Sequence, residues 1–442
     1  MTASARDLAL ATPPGRDRYV DLLRVASLGT VIGGHWLMAA VSSDGIGNLL
    51  ALVPALQVLT WGLQVMPVFF FVGGFSHALS YRSLARRSET SVYAAFLRAR
   101  LQRLLRPTLV FVLVWAAAAL AVQLAGRGDG RLTGAALRLV TQPLWFIGIY
   151  LAMVAFTPPL LKLHERHGWA AFAALAGAAA LVDVLRFAFG VPYVEFLNFA
   201  LVWLAVHQLG FLRADGRIRR PAALAAAGLA GAVLLVACGP YPLSMVGMPG
   251  EKVSNMAPPT LALLAHGMWL VGAVQLLARP ATAWLARPRV WRGVVAANGV
   301  AMTAFLWHLT AMLGVYGAQL ALGLDLPAPA GAAWWAQVPV RILAATALTV
   351  VFVTLFRRFE APAAPRTGTA GGAGGLVAAL GITLCLLGIL GLSMTGLGGL
   401  LDGHSATLIA FPVTAPVAIG MALAGALLVE RSAPARSVRL GG

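Results

Sequence analysis

Long apolar segments alternate with short polar ones along most of the 442-residue chain. A helix needs about 20 mostly apolar residues, each adding about 1.5 Å, to cross the hydrocarbon core of a bilayer. Twelve segments approach or exceed that length, so the pattern predicts an all-α, polytopic bundle of transmembrane helices. The twelve predicted spans are 19–41, 57–80, 107–125, 144–161, 168–189, 195–212, 222–240, 258–278, 294–319, 334–356, 374–400 and 405–429.

The polar segments predict how the chain is divided into parts. Residues 1–18 carry several charges and are interpreted as a short, disordered cytoplasmic tail. No cleavable signal peptide is expected, because the first apolar run is too long. Residues 19–358 form the predicted ten-span core. A Gly- and Pro-rich linker, 359–373, separates the core from an accessory transmembrane hairpin at 374–430, and 431–442 form a second tail.

The composition excludes an ordinary soluble protein. Hydrophobic residues make up 60% of the chain and charged residues only 11%, whereas soluble domains carry about 25% charged residues. The two cysteines, Cys238 and Cys385, lie in apolar runs and provide no disulfide framework. We therefore expect a multi-pass protein of the cell membrane, surrounded by the lipid bilayer.

The net charge of +18 is typical of nucleic-acid binding, but the arginines lie in short clusters between the apolar runs. Cytoplasmic loops of membrane proteins carry an excess of Lys and Arg. With the first tail in the cytoplasm and twelve spans, 26 of the 33 basic residues fall on the cytoplasmic side, four in outer loops and three within spans. This distribution predicts that both termini are cytoplasmic, and no nucleic-acid partner is expected.

The first predicted span contains three ionisable residues, Asp21, Arg24 and His35. Asp21 and Arg24 are three residues apart and can pair on one helix face. His35 follows Arg24 by eleven residues, which is within about 20° of three whole turns and roughly 16 Å further along the helix axis. Ionisable groups inside a membrane indicate functional sites, and a histidine can act as a general base near neutral pH. The alternative is a buried histidine that only bonds a neighbouring helix.

A second candidate site is the basic segment 96–107, FLRARLQRLLRP. The planar fork of arginine suits phosphate groups, which it binds bidentately. On a helix Arg103 and Arg106 can share a face, whereas Arg98 lies about 140° from Arg103 and Arg100 is expected to face lipid headgroups. The alternative is that these charges only set the topology and attract anionic lipid.

Other polar residues within the predicted spans have less specific interpretations. His77 and His207 are interpreted as partners in hydrogen bonds between helices. Trp307 and His308 form a polar element in the ninth span. The sequence HERH at 164–167 lacks the HExxH spacing that places two histidines on one helix face for zinc, so no metal site is expected.

Five motifs in order resemble the acyltransferase 3 family of polytopic integral-membrane, acyl-CoA-dependent O-acyltransferases, over roughly residues 17–358. The opening segment resembles the family's Asp-x-x-Arg and Arg-x10-His signatures, met here by Asp21, Arg24 and His35. The second motif departs from the family at Gly73, where serine is frequent, so no serine role is transferred. The motifs are RYVDLLRVASLGTVIGGHW, MPVFFFVGGF, FLRARLQRLLRP, PLWFIGIYL and LWHL.

The resemblance implies transfer of an acyl group, often acetyl, from cytoplasmic acyl-CoA to a hydroxyl group. The implied acceptor is a glycan, a lipid or a secondary metabolite. Acyl-CoA is then a substrate, and no permanently bound cofactor is expected. The outer loop at 240–264 is similar to a form seen in actinobacterial members of the family.

The resemblance also implies roles for single residues. His35 is expected to remove the proton of the acceptor hydroxyl, with Arg24 holding the donor or polarising a developing oxyanion, and Asp21 fixing Arg24. The residues implied to bind the phosphates of CoA are Arg98, Arg103 and Arg106. The residues implied to line a substrate cavity are Trp145, Trp307 and His308.

Two other functions fit the same pattern of spans. Twelve spans with both termini in the cytoplasm are also typical of a secondary transporter without acyl-transfer chemistry. The charged Gly-x-x-x-Asp-Arg loop of major-facilitator transporters is not found between spans two and three. A structural or sensory protein, in which the polar stripe of the first span only packs helices, is the third interpretation.

Overall fold

The computed structural model describes residues 5–13, 15–42, 45–87, 92–126, 131–248, 251–360, 374–408 and 411–432. Of the described residues, 77% are helical. The α-helices are α1 Ala5–Leu10, α2 Arg18–Met38, α3 Leu49–Leu52, α4 Thr60–Leu63, α5 Met66–Ala85, α6 Val92–Leu124, α7 Arg131–Leu139, α8 Leu144–His167, α9 Trp169–Phe187, α10 Asn198–Ala214, α11 Pro221–Cys238, α12 Leu261–Leu276, α13 Ala278–Leu285, α14 Pro288–Asn298, α15 Ala301–Ala321, α16 Ala332–Phe356, α17 Gly374–Thr395 and α18 Ala415–Ser432.

Short 3₁₀ helices and two β-hairpins connect these helices. The 3₁₀ helices are Pro54–Leu59, Val194–Leu197 and Arg357–Phe359. The antiparallel strand pairs are β1 Ala39–Ser42 with β2 Gly45–Asn48, and β3 Ser405–Leu408 with β4 Phe411–Thr414.

Helices occupy all twelve predicted spans. Among the described residues, ten helices are long and apolar enough to cross a membrane. The eighth predicted span contains α12, which is long and apolar enough to cross a membrane only when taken together with α13, and the two helices are bent by 50°. The first span, α2, has 21 residues but is less apolar than the ten, because it carries Asp21, Arg24 and His35. The chain is therefore an all-α polytopic bundle, as predicted.

Two parts of the predicted organisation differ from the structure. The first tail is not disordered throughout, because α1 packs against α14 and Trp291 Nε1 donates to Thr12 Oγ1 at 3.1 Å. The last span begins later than predicted, at Ala415, because the preceding residues form the β3–β4 hairpin. In β3 exposed Ser405 and Thr407 alternate with more buried residues, which is the period of a strand. Residues 361–373 of the predicted linker and 433–442 of the second tail lie outside the described residues.

A network of charged groups joins α5, α8 and α10 at the end of the bundle that is predicted to be cytoplasmic. Asp215 accepts hydrogen bonds from Arg82 Nη1 at 2.6 Å and from His164 Nε2 at 2.9 Å, and Arg82 Nε donates to Glu165 at 3.1 Å. Burial alone raises the pKa of the Asp215 carboxyl, but the hydrogen bonds and charges of Arg82 and His164 outweigh it and lower the pKa. The carboxylate therefore stays charged and holds three helix ends together.

The helix α2 is surrounded by α5, α14 and α15, which places its polar stripe inside the bundle. The C-terminal pair α17 and α18 packs together, with α17 against α8 and both helices against α6. The predicted accessory hairpin is thus in direct contact with the core helices.

Candidate active site

The polar residues at the start of α2 form a hydrogen-bonded group that reaches α5. The Asp21 carboxylate accepts from Arg24 Nη1 at 2.9 Å and from Arg16 Nε at 2.6 Å, and Asp21 is only 4% exposed. Arg24 Nη2 donates to Ser76 Oγ at 3.1 Å. Asp21 and Arg24 therefore pair as their spacing predicts, and Ser76 holds the other end of the guanidinium.

Arg100 of α6 and Arg24 of α2 both donate hydrogen bonds to Ser76, although the sequence predicted that Arg100 faces lipid headgroups. Its Nη2 donates to the carbonyl oxygen of Ser76 at 2.9 Å. The ion pairs of the described residues include no carboxylate partner for Arg100. Asp21 shares its one negative charge between Arg16 and Arg24, and Arg100 adds further positive charge that no ion pair of the described residues balances. Because α6 packs against α5, the face of α6 that carries Arg100 points into the bundle. Residue spacing along one helix does not reveal this contact.

The three arginines predicted to bind CoA phosphates have different surroundings. Arg103 is exposed on the surface of α6. Arg106 Nη2 lies 3.5 Å from Glu430 Oε1 of α18. Arg98 is half-buried, and its Nε has no hydrogen-bond partner among the described residues. Of the three, Arg103 presents the most accessible guanidinium to a ligand arriving from the end of the bundle.

His35 lies against His308, which belongs to α15. His35 Nδ1 and His308 Nε2 are 2.7 Å apart, and the rings stack with centroids 5.0 Å apart and planes 11° apart. Trp36 Nε1 donates to the carbonyl oxygen of His308 at 2.9 Å, which is a second bond between α2 and α15. His308 is fully buried, whereas His35 is half-buried. The structure therefore joins two histidines that are 273 positions apart in the sequence.

A further bond determines the direction of the hydrogen bond between these histidines. His308 Nδ1 bonds the carbonyl oxygen of Phe305, which can only accept, so Nδ1 of a neutral His308 carries the proton. His308 Nε2 is then an acceptor, and His35 Nδ1 is the donor to it. With its proton on Nδ1, His35 keeps a lone pair on Nε2. This tautomer is assigned from the bonding pattern.

A second pair of buried histidines adjoins the two arginines. His77 Nδ1 lies 3.0 Å from His207 Nε2, and His77 Nε2 lies 2.9 Å from the Tyr150 hydroxyl. Both histidines are fully buried, and the group connects α5, α8 and α10. The prediction that His77 and His207 make interhelical hydrogen bonds is confirmed. Ser76, which binds Arg24 and Arg100, immediately precedes His77.

The two tryptophans predicted to line a substrate cavity pack among other aromatic rings. Trp307 is 3% exposed and stacks on Phe356 of α16 with ring centroids 4.2 Å apart. Trp145 is half-buried, with its ring centroid 6.4 Å from that of Phe146. Of Trp145, Trp307 and His308, it is His308 that hydrogen bonds to His35.

A family model described as an acyltransferase domain, that of the acyltransferase 3 family, matches residues 17–358. The chain belongs to the acyltransferase 3 family. It is therefore an acyltransferase whose many apolar helices make it a multi-pass membrane protein. No curated protein and no solved structure matches the chain.

The family match extends from the beginning of α2 to the 3₁₀ helix after α16. It therefore includes the arginines at Ser76 and the histidine pair, and it leaves α17 and α18 outside. Among the described residues, no group of three or more His, Cys, Asp or Glu side chains is placed to hold a metal ion.

Sequence reasoning missed two contacts of the site. The bond between His35 and His308 depends on how α2 packs against α15, and only the LWHL motif drew attention to His308. The inward position of Arg100 depends on how α6 packs against α5. The one available signal was that Arg100 lies in the same basic segment as Arg98 and Arg103.

Proposed function

We propose that this membrane acyltransferase moves an acyl group, with acetyl as the proposed group, from cytoplasmic acyl-CoA to a hydroxyl of a glycan, lipid or secondary metabolite at the cell membrane. The observation that supports the proposal is the series of hydrogen bonds from Phe305 through His308 to His35, which leaves a lone pair on His35 Nε2. Transfer to a hydroxyl needs such a group, because the attacking oxygen must lose its proton.

In this proposal acyl-CoA approaches from the predicted cytoplasmic end of α6. The phosphates bind the exposed Arg103, with Arg98 and Arg106 in the same basic segment. Arg100, which has no carboxylate among its recorded partners, lies further inward beside Arg24. Guanidinium groups bind phosphate and other anionic oxygens strongly because each can donate two parallel hydrogen bonds.

Arg24 is proposed to hold the donor and not to stabilise the oxyanion. Arg24 and His35 are eleven residues apart on one continuous helix, which separates them by roughly 16 Å along its axis. One acyl carbonyl cannot contact both side chains across that distance. The thioester end of the donor therefore extends past Arg24 toward His35.

The proposed reaction has two proton transfers at one nitrogen. His35 Nε2 takes the proton of the acceptor hydroxyl while the hydroxyl oxygen attacks the thioester carbonyl carbon and forms a C–O bond. The tetrahedral intermediate then expels the CoA sulfur as the C–S bond breaks. The imidazolium returns its proton to that sulfur, so that an ester and CoA thiol leave. His308 Nε2 accepts the hydrogen bond of His35 Nδ1–H throughout.

The test is release of CoA thiol from acetyl-CoA by the purified full-length protein in lipid nanodiscs. His35→Ala should lower the rate by at least about 10²-fold, since general-base catalysis typically contributes 10²–10⁴-fold. His266→Gln is the matched control, because His266 is also buried in a span but bonds the Trp61 carbonyl oxygen at 2.8 Å, on another helix.

The acceptor is identified by comparing a deletion strain with the same strain carrying the wild-type chain or the His35→Ala variant. Mass spectrometry of lipids and glycans from a deletion strain should show the loss of one acyl mass, restored by the wild-type chain and not by His35→Ala. Near-full thiol release by a well-folded His35→Ala protein would contradict the proposed base. Substrate flux across proteoliposomes without any thiol release would support the transporter interpretation instead.

A further inference from the structure

A narrow, partly enclosed pocket lies beside the histidine pair, on the side away from Arg24. Its lining includes Trp36, which follows His35 on α2, and Tyr316, which lies two turns beyond His308 on α15. Trp334 and Arg341 complete the wall from the first half of α16. The histidine pair therefore separates this pocket from the arginines at Ser76.

Arg341 is a buried cation in this wall. It is 8% exposed, and it donates from Nη1 to the Tyr316 hydroxyl at 2.6 Å and from Nη2 to the Trp334 carbonyl oxygen at 2.7 Å. Its guanidinium lies 4.6 Å from the ring centroid of Trp334 and 5.4 Å from that of Tyr316. The recorded ion pairs of the described residues do not include Arg341.

Neutral partners do not balance the charge of Arg341. Moving an ionised group out of water is costly unless an opposite charge accompanies it, and ionisable residues inside membranes usually serve function. The two recorded bonds occupy two of the five N–H donors of a guanidinium. An anionic group bound in the pocket would supply both the missing charge and acceptors for the remaining donors.

We propose that this pocket is the acceptor subsite and that Arg341 binds an anionic group, a carboxylate or a phosphate, carried by the hydroxyl-bearing acceptor. The inference rests on the proposed function, because it assigns the acceptor to the side of His35 opposite the donor arginines. The planar fork of arginine matches both anions. The cavity measures only about 10 Å³, so the proposal places the anionic group in the pocket and the rest of the acceptor outside it.

The competing explanation is that Arg341 only braces α15 against α16. A brace would affect the stability of the protein and would give no preference between charged and neutral ligands. The two explanations therefore differ in a binding measurement and not only in the abundance of a variant.

The experiment uses three probes with the same ring, glucose, glucuronate and glucose 6-phosphate, which differ only in the group at carbon 6. Binding to the full-length protein in nanodiscs is measured by calorimetry. We expect at least one of the two anionic sugars to bind about tenfold or more tightly than glucose. The stronger of the two identifies the anion as carboxylate or phosphate.

Variants test whether Arg341 causes the preference. Arg341→Gln should abolish the preference for anionic sugars. Arg341→Lys keeps a buried cation but loses the planar fork, so it should reduce the preference severalfold. The Lys variant keeps the test decisive if the Gln variant does not fold. Arg138→Gln is the control, because Arg138 is an exposed arginine of α7 on the same predicted outer side. It should leave the preference unchanged.

Several results would overturn the inference. They are equal binding of the three sugars, no binding of any of them, or an anion preference that survives both Arg341→Gln and Arg341→Lys. Thiol release from acetyl-CoA is measured on the same preparations. Thiol release without an anion preference would reject the acceptor subsite alone, whereas an Arg341-dependent anion preference without thiol release would reject the acyl-transfer function alone.

Discussion

The position of one proton determines what His35 can do. A neutral imidazole has one nitrogen that donates and one that accepts, and only the accepting nitrogen can take a proton from a hydroxyl. The carbonyl oxygen of Phe305 fixes His308, and His308 in turn fixes His35. No hydrogen bond of the described residues engages His35 Nε2.

His308 should therefore act as a positioning residue for His35. His308→Ala removes the acceptor of the His35 Nδ1–H bond, so both tautomers of His35 become available and the ring can turn. We expect kcat for acyl transfer to fall about 10–10³-fold, which is part of the 10²–10⁴-fold that general-base catalysis typically contributes. The KM for acyl-CoA should stay near the wild-type value, since the donor arginines are unchanged.

His308→Gln provides the contrast for that measurement, because its amide oxygen can still accept a hydrogen bond. It should retain more activity than His308→Ala. Equal losses in the two variants, or a fall in kcat that is matched by a rise in donor KM, would indicate that His308 only supports packing.

At this scale, the sequence predicts contacts that are local and misses those that depend on packing. Asp21 and Arg24 are three residues apart on one helix, so their pairing follows from helix geometry. His35 could be placed on the same stripe by the same arithmetic. Its partner could not be predicted, because any of several spans could lie opposite it.

The helix α6 connects the basic segment to the third span without a break. Pro107 lies inside it, and the helix runs from Val92 to Leu124. Its contacts with α5 and α18 divide the arginines into an inward one, Arg100, an exposed one, Arg103, and one near Glu430, Arg106. Arg100 and Arg103 are therefore better placed to bind CoA phosphates together than Arg103 and Arg106, the pair that the sequence predicted.

Single Gln substitutions along α6 should separate these roles. We expect Arg100→Gln and Arg103→Gln to raise the KM for acyl-CoA about tenfold, because a hydrogen bond to a charged group is worth about 1.5–3 kcal/mol. Arg98→Gln and Arg106→Gln should have smaller effects. Arg289→Gln, which removes an exposed charge from α14, is the control. Donor KM values that do not differ among the five variants would mean that the cluster only sets topology.

Two glycines allow α5 and α10 to approach closely enough for His77 to reach His207. A Cβ atom on Gly210 would overlap the backbone of α5 at Phe71 and Phe75, and one on Gly74 would overlap the backbone of α10 at His207. Small residues at such crossings are typical of helix packing in membranes. The close contact could not be predicted from the sequence, because several other glycines of the spans have open space around them.

Gly210→Ala should therefore destabilise the protein by about 1–3 kcal/mol, the usual cost of overpacking. The measurement is thermal unfolding of the purified protein. Gly177→Ala is the matched control, because Gly177 also lies inside a span helix but a Cβ there meets nothing within 4 Å. It should be neutral or slightly stabilising, since alanine favours a helix by about 1 kcal/mol over glycine. Similar unfolding temperatures for the two variants would show that the crossing is not tightly packed.

For the whole molecule, apolar length predicted where the long helices lie, and ten helices of the described residues, or eleven with the bent pair, are long and apolar enough to cross a membrane. Apolar length located all twelve predicted segments, including α2, which its charged residues make less apolar than the other spans. What the sequence could not predict is how the hairpin α17–α18 joins the core, since that depends on contacts such as α17 with α8. The orientation in the membrane stays a prediction.

The two cysteines of the chain provide a direct test of that orientation. Cys238 is exposed at the last residue of α11, an end that the distribution of Lys and Arg assigns to the outside, whereas Cys385 is buried within α17. A membrane-impermeant maleimide added to intact cells should therefore label the wild-type chain at one site. Cys238→Ser should abolish the labelling, and Cys385→Ser should leave it unchanged. Labelling of Cys238 only after the cells are opened would reverse the assigned orientation, and with it the side from which acyl-CoA and the acceptor are proposed to enter.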